Sequence, residues 1–581
     1  MTPEERPSGK NRIEKNSMAQ VAIDLLPETP AEQIAACAAA DIHLYRLRGC
    51  DLGWNGAGQF DYTQIEARLR ALLSADPGAH FWLEVSVDAP AWWRETHPDE
   101  GAVYCLPASA SSVAPVSWAS QRWRTEAGNA LARLIGHLQQ REEGARCLGW
   151  QVAAGAEGEW RYPEAERLPD IGPRMTEQFR AFVREKYRRN PELLRRAWDD
   201  PRARFEALSC PDAATRRRAD RGVFRDPVRS RQVLDYYECL AEVQNAAALH
   251  FCRTVRRATE GRALVGLSYA HTFGESVLPE GSHCFPEPVL DSPDVDFFAN
   301  AGPADGSPYL RALTGSLVLR EKRLFSIPRG ALSAHVAINL AQTYQAGVIL
   351  PANTPADVLR AATSALERSA HASRRRSHPV ALIADPANLL SIAGADWISQ
   401  TLLGDQMREL ARLGSPFDAY LPGDLIRRDY PDHPVTIFLN AFYLSDAERR
   451  RVDARVKRSG QTAAWLWTPG ILAEEGISPE AGLRLCGQRL RLEDTASSLR
   501  TRIVASDDPS IGGFRPGATF GIDRSAAPTV IIPDKASTRL GANTANKTVF
   551  AVRRFDQWTS VVYGTLLVPA TLLRHLLDAV R

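Results

Sequence analysis

The sequence predicts an α/β protein, a (β/α)8 TIM barrel followed by a flavodoxin-like α/β domain. Three observations predict it. Eight short, near-continuously apolar runs lie before residue 352, and helical patterns separate them. Strands of that kind, spaced by helices, belong to a parallel sheet covered on both faces. A second strand–helix alternation begins after an arginine run, Arg374-Arg375-Arg376, which reads as a solvated linker.

The eight expected barrel strands are Val21–Leu25, Ile42–Leu47, Phe81–Val87, Leu148–Ala153, Ala263–Ser268, Val295–Ala299, Leu324–Ile327 and Gly347–Leu350. The helices between them are Pro30–Ala39, Tyr62–Leu73, Ala119–Arg141, Met175–Lys186, Val233–Ala258, Ser307–Arg320 and Ala334–Tyr344, with Ala356–Ala372 after the last strand. Eight such units over about 350 residues fit one barrel with an insertion. The expected domains are a disordered tail at 1–18, a barrel at 19–373 with a helical insertion at about 165–258, and the second domain at 377–581. In that second domain Pro379–Ala384, Phe417–Leu421, Val435–Asn440 and Thr462–Trp467 read as strands, and Trp397–Leu413 and Asp446–Ser459 as helices. Thr529–Ile532, Thr548–Arg553 and Ser560–Leu567, with helix Pro569–Val580, close it. Residues 485–545 are the least readable part.

Composition excludes several classes. Lys+Arg is 71 against Asp+Glu 69, so the basic excess of a nucleic-acid binder is missing. No run of about 18 apolar residues occurs, so no membrane span is expected. The polar N-terminus has no apolar h-region, which points to the cytoplasm. Nine cysteines without a CxxC pair are neither a disulfide framework nor a zinc site, so no metal is expected. With no GxGxxG and no P-loop, no cofactor is expected either.

In a barrel, chemistry sits at the C-terminal ends of the strands. The third strand is followed by Trp92 and Trp93, whose faces suit the apolar faces of sugar rings. After the fourth come Glu157, Glu159 and Trp160. A carboxyl packed on an aromatic in an apolar pocket has a raised pKa and acts as a general acid, whereas on a surface loop it is only a solvated charge. Tyr269 and His271 follow the fifth strand; His283 is the other histidine near a strand end. Asp296 interrupts the apolar sixth strand and needs a partner there, either a barrel residue or a substrate hydroxyl.

Four segments carry a family resemblance: GQFDYTQIEARLRALLSADPGAHFWLEVSVDAPAWWRETHPDE, CLGWQVAAGAEGEWRYP with FRAFVREKYRRNPELLRRAWDDP, LVGLSYAHTFGESVLPEGSHCFPEPVLDSPDVDFFANAG, and the second domain from HPVALIADPANLLSI to WLWTPG. In order and spacing the chain resembles the β-galactosidase-type glycoside hydrolases of family 42. The resemblance implies a catalytic barrel and a flavodoxin-like, glutamine-amidotransferase-like domain that often mediates homo-oligomers. It also implies retaining hydrolysis by two carboxylates. The acid/base after strand four maps onto Glu159. The nucleophile at the end of strand seven has no counterpart, because FSIPRG stands there and the nearest acid, Glu321, lies at the strand's start. Strand eight ends in VILPAN, without the Asp-bearing aromatic end of similar proteins.

Retaining hydrolysis needs carboxyl groups about 5–5.5 Å apart. The first expectation is therefore a repurposed enzyme. It keeps Glu159 as its catalytic acid/base and runs altered chemistry on a sugar-like or polar small molecule in a biosynthetic pathway, with Asp88, Asp296 or Glu84 as a replacement base. Trp92, Trp93, Glu157, Trp160, Tyr269, His271 and Asp296 would bind the substrate. The alternatives are an inactive carbohydrate-binding or scaffold pseudoenzyme, and a retaining β-galactosidase with a displaced nucleophile.

Overall fold

The computed structural model describes residues 20–578 apart from 108–113, 275–277, 304–305, 308, 330–346, 373–377, 459 and 506. The expected tail at 1–18, the linker arginines and the helix Ala334–Tyr344 lie outside the described residues.

Eight parallel strands close a barrel: β1 (Gln20–Leu25), β2 (Leu44–Cys50), β3 (His80–Ser86), β4 (Cys147–Ala153), β5 (Leu264–Leu267), β6 (Phe297–Ala301), β7 (Arg323–Ile327) and β8 (Gly347–Pro351). Closure comes from β1 pairing with β8, Gln20 opposite Gly347 and Ala22 opposite Ile349. Around it run α1 (Ala31–Ala39), α2 (Thr63–Ala75), α3 (Gln121–Gln139), α4 (Pro173–Lys186), α5 (Arg231–Ala258) and α6 (Ala356–Ala372).

Alternation along each strand decides what fills the barrel. In β3, Phe81, Leu83 and Val85 turn outward into the layer beneath the helices. Trp82 turns inward and joins Ala22, Phe297, Ala299, Phe325 and Ile349 in a separate apolar cluster. Its ring centroid lies 5.8 Å from Phe297 and 5.2 Å from Phe325. These rings plug the lower barrel. Gly266 makes room for them, since a Cβ there would meet the Phe297 ring at 2.1 Å.

The 28-residue α5 shows why the insertion docks. Val233, Tyr236, Leu240, Val243, Ala247, Phe251 and Val255 recur at helical spacing and are all buried. α3 packs on it, capped by Ser120, whose Oγ accepts from the Trp123 amide at 3.0 Å.

The second domain holds a nine-stranded sheet. Its parallel part is β9 (Val380–Ile383), β10 (Phe417–Tyr420), β11 (Val435–Phe438) and β12 (Gln461–Leu466), ordered β10-β9-β11-β12. That is the 2-1-3-4 order of flavodoxin-like sheets. The sheet continues through residues 497–563, a stretch that overlaps the least readable segment, 485–545. β13 (Ser497–Ile503), β14 (Thr519–Ala526), β15 (Thr538–Ala542) and β16 (Thr548–Arg554) pair antiparallel. The last strand, β17 (Trp558–Tyr563), lies parallel to β12 and antiparallel to β16.

Two expected helices differ. Ser307–Arg320 shrinks to Thr314–Leu319, because Arg311 and Ala312 pair with the β5 loop; Thr272 N–H donates to the Arg311 carbonyl at 2.8 Å. Trp397–Leu413 is interrupted by a π turn over Thr401–Asp405, where Leu403 C=O accepts from Gly274 N–H at 3.1 Å. The barrel and second domain share a packed seam, with Phe224 against Trp467 (5.1 Å) and Phe442 (5.4 Å). Arg225 closes that seam by donating to the carbonyls of Leu390 and Ile392.

Candidate functional site: the mouth of the barrel

Beyond β4 the chain turns through two non-glycine residues with left-handed backbones, Glu157 (φ 54°) and Trp160 (φ 55°). This pair of turns throws neighbouring acids to opposite sides. The Glu157 side chain is 54 % exposed and pairs with Arg329, which follows β7. Glu159 is only 2 % exposed.

Three partners hold the Glu159 carboxylate. His271 Nδ1 lies 3.1 Å from Oε2, Arg161 Nη2 donates to Oε2 at 2.5 Å, and Arg311 Nη1 donates to Oε1 at 3.2 Å. Burial alone would raise its pKa, but His271, Arg311 and Arg161 outweigh burial and hold it well below the usual carboxylate range. The raised-pKa acid read from the Glu–Trp pair is therefore corrected. The indole beside it does not face a pocket. Trp160 is fully buried among Trp118 and Phe251, and its Nε1 donates to the Val152 carbonyl at 3.1 Å.

Burial, first, and then the arginine charges push His271 down to about 4, so its ring is neutral at pH 7, with Nδ1 beside the Glu159 carboxylate. His283 Nε2 donates to the Glu159 carbonyl at 2.9 Å, while its Nδ1 accepts from the His271 amide at 3.3 Å. Tyr269 packs on His283 in a tilted contact with ring centroids 3.8 Å apart, and its hydroxyl donates to Asn245 at 2.6 Å. Glu159, Tyr269 and His271 thus come together as expected, but inside the loop packing.

The remaining expected positions scatter. Trp93 is fully buried; its Nε1 donates to Glu126 at 2.6 Å, and it is a core residue rather than a pocket wall. Trp92 is half-buried, edge-on to Trp54 at 5.2 Å, and donates to the Trp54 carbonyl at 3.0 Å. Asp296 precedes β6, at the barrel's N-terminal end, opposite the mouth. It accepts from Arg256 at 2.6 Å and from the Val265 amide at 2.8 Å, so its partner is structural.

What faces the mouth from inside the barrel is a layer of charge above the apolar plug. Asp24 of β1, Arg46 and Arg48 of β2, Glu84 of β3 and Gln151 of β4 point inward from consecutive strands. Arg46 pairs with Glu84 and reaches Asp24 at 3.4 Å. Gln151 donates to Glu84 at 2.9 Å. Arg48, one level higher, is held loosely: 3.5 Å to Glu84 and 3.6 Å to Asp24, with 37 % of its side chain exposed. Burial raises the Asp24 pKa above its ordinary value in spite of Arg46 and Arg48. At the rim, Asp88 accepts from the Gly155 amide at 3.1 Å and from Ser86 Oγ at 3.1 Å. β7, now fixed as the seventh barrel strand, reads RLFSI and carries no carboxylate.

Except for Glu84, this layer escaped the sequence reading. Its signal was charged or amide residues inside four consecutive apolar strands: Asp24 in QVAIDL, Arg46 and Arg48 in LYRLRGC, Glu84 in HFWLEVS and Gln151 in CLGWQVA.

No protein-family model matches the chain, and no curated protein matches its sequence. Its fold does match solved structures. The β-galactosidase of the psychrophilic Marinomonas ef1 is 14 % identical, with a TM-score of 0.65 over 97 % of this chain and 90 % of that one. The cold-adapted β-galactosidase of Rahnella sp. R3 is 13 % identical, with a TM-score of 0.67 over 97 % and 88 %. Gan42B, a GH42 β-galactosidase, is 11 % identical, with a TM-score of 0.66 over 97 % and 87 %. The chain therefore has the fold of the family 42 β-galactosidases across nearly its whole length. No helix among the described residues is long and apolar enough to cross a membrane.

Proposed function

We propose that the barrel binds a sugar-like or polar small molecule at its mouth and does not hydrolyse it by the retaining route. The observation that carries this is the state of Glu159: sealed from solvent and shared by Arg161, Arg311 and His271. A general acid must hold a proton near neutral pH and reach a leaving group. A carboxylate over-compensated by two guanidinium groups does neither. The fold shared with β-galactosidases supports a carbohydrate-like ligand. The charged layer of Asp24, Arg48 and Glu84 supplies donors and acceptors for its hydroxyls. The second domain then serves assembly, in keeping with the resemblance, and the cytoplasm is the proposed compartment.

A second reading, a repurposed enzyme, is favoured by one observation. Asp24, with its raised pKa, shares Arg46 and Arg48 with Glu84. Two carboxyls whose environments differ can divide acid and base roles.

The test is a panel of aryl glycosides and free sugars, followed by turnover and by thermal shift. The binding reading expects saturable stabilisation by at least one sugar, weakened in Arg48→Ala, without turnover. Turnover abolished by Asp24→Asn but kept in Glu159→Gln supports the second reading. Turnover abolished by Glu159→Gln with stability unchanged overturns both.

A further inference from the structure

The end of the barrel opposite the mouth carries a cleft that neither reading uses. Its volume is about 450 Å3, and His250, Arg253, Arg256, Arg257 and Asp294 line it. Four of the five lie on the last three turns of α5; Asp294 comes from the loop before β6. Arginines at a helix C-terminus ordinarily offset the helix dipole and cap its carbonyls. Here that work is already done. The carbonyls of Val255, Arg256 and Arg257 accept from the amides of Thr259, Gly261 and Glu260 at 2.8–3.1 Å. Arg256 is spent on Asp296 and on the carbonyls of Ala263 and Asp294.

Arg253 and Arg257 are surplus to that work. They stand one helical turn apart on the same face and are exposed. Arg253 uses only Nε, donating to the Leu249 carbonyl at 3.1 Å. Among the described residues no carboxylate lies within ion-pair distance of either. His250 stands beside them, its Nε2 donating to the Arg124 carbonyl at 2.8 Å, which leaves Nδ1 uncommitted. A guanidinium presents a planar fork matched to phosphate oxygens, and two forks in one cleft hold such a group bidentately. Asp294 would repel a bare anion but accepts from hydroxyl groups, and the cleft is larger than phosphate alone.

We infer that this cleft is a second ligand site, which takes a phosphorylated polar small molecule: the phosphoryl group lies between Arg253 and Arg257, and its hydroxylated remainder turns to Asp294. The site is separate from the mouth, so its fate does not depend on what the mouth does.

The test uses the full chain with inorganic phosphate and with a hexose monophosphate. Thermal shift is read against chloride at matched ionic strength, because a merely screened surface charge responds to both salts. The expected result is saturable stabilisation by both probes, tighter for the hexose phosphate. In Arg253→Gln/Arg257→Gln the dissociation constant should weaken at least about tenfold, while melting without ligand stays near wild type. A second readout in the wild type does not depend on that variant folding. Burial and the neighbouring charges of Arg124, Arg253 and Arg257 depress the His250 pKa. Phosphate in the cleft should raise it, and ring-proton NMR follows this directly. Equal response to chloride, or an unchanged shift in the double variant together with a static His250 titration, would reduce the cleft to solvated surface charge and overturn the inference.

Discussion

Two clusters at the upper end of the same barrel handle carboxylates in opposite ways. Around Glu159 one carboxylate meets two arginines and a neutral histidine, all nearly sealed from water. In the barrel layer two carboxylates, Asp24 and Glu84, share two arginines, and the upper one, Arg48, stays open. Excess positive charge pins the first as a structural ion. Balanced charge and partial exposure leave the second adjustable. The lesson is that the neighbours decide what a strand-end carboxylate can do, and a Glu–Trp dipeptide does not reveal them.

The comparison can be broken from either side. The largest effect is expected at Trp160→Ala, which empties the fully buried ring beneath the Glu159 turn. It should cost about 3–5 kcal/mol in urea unfolding, and a cost below about 1 kcal/mol would mean that the turn is not anchored there.

Next comes acid sensitivity. His271 has a folded pKa of about 4, below its unfolded value of about 6.5. The unfolded chain therefore binds the extra proton first, and stability falls as pH drops from about 6.5 towards 4. Glu159, depressed in the fold, adds a loss in the same direction below its unfolded value near 4.5. Stability measured across pH 4–7 should slope less in His271→Gln than in wild type, and identical slopes would sink the assignment of a neutral, buried His271.

The smallest effect belongs to Arg48→Ala. Its long, part-exposed pairs should contribute no more than about 1 kcal/mol, while sugar-dependent stabilisation weakens. A large stability loss there would make the layer a structural device like the Glu159 cluster.

Much of the fold was legible. All eight barrel strands lie within about three residues of their expected ends, because strands buried on both faces must be apolar throughout and helices must punctuate them. The antiparallel half of the second sheet was legible only at its end, where Thr548–Arg553 and Ser560–Leu567 match β16 and β17, while β13, β14 and β15 were missed. In β14, TFGIDRSA, only Phe520 and Ala526 are buried, so no apolar run marks it. The site was less legible than the fold. Glu159, Tyr269 and His271 were rightly seen as neighbours of strand ends. The Glu159 carboxylate, however, is held by Arg311, which lies 152 positions away and has no local signal. Trp93 and Trp160 carry the same residue type as a sugar platform and differ from one only by facing the core. Asp296, one residue before β6, belongs to the strand's N-terminal end, and a lone acid in an apolar run does not by itself reveal which end of the barrel it serves.

The most direct measurement of the central claim is the unfolding free energy of Glu159→Gln against wild type at pH 7. Breaking a buried ionic cluster leaves Arg161 and Arg311 uncompensated, and should destabilise the protein by about 3–5 kcal/mol. A catalytic acid held against its own preference would give the opposite sign, since removing such a group commonly stabilises a protein at the expense of activity. A variant as stable as wild type, or more so, would contradict the account and return Glu159 to the active site.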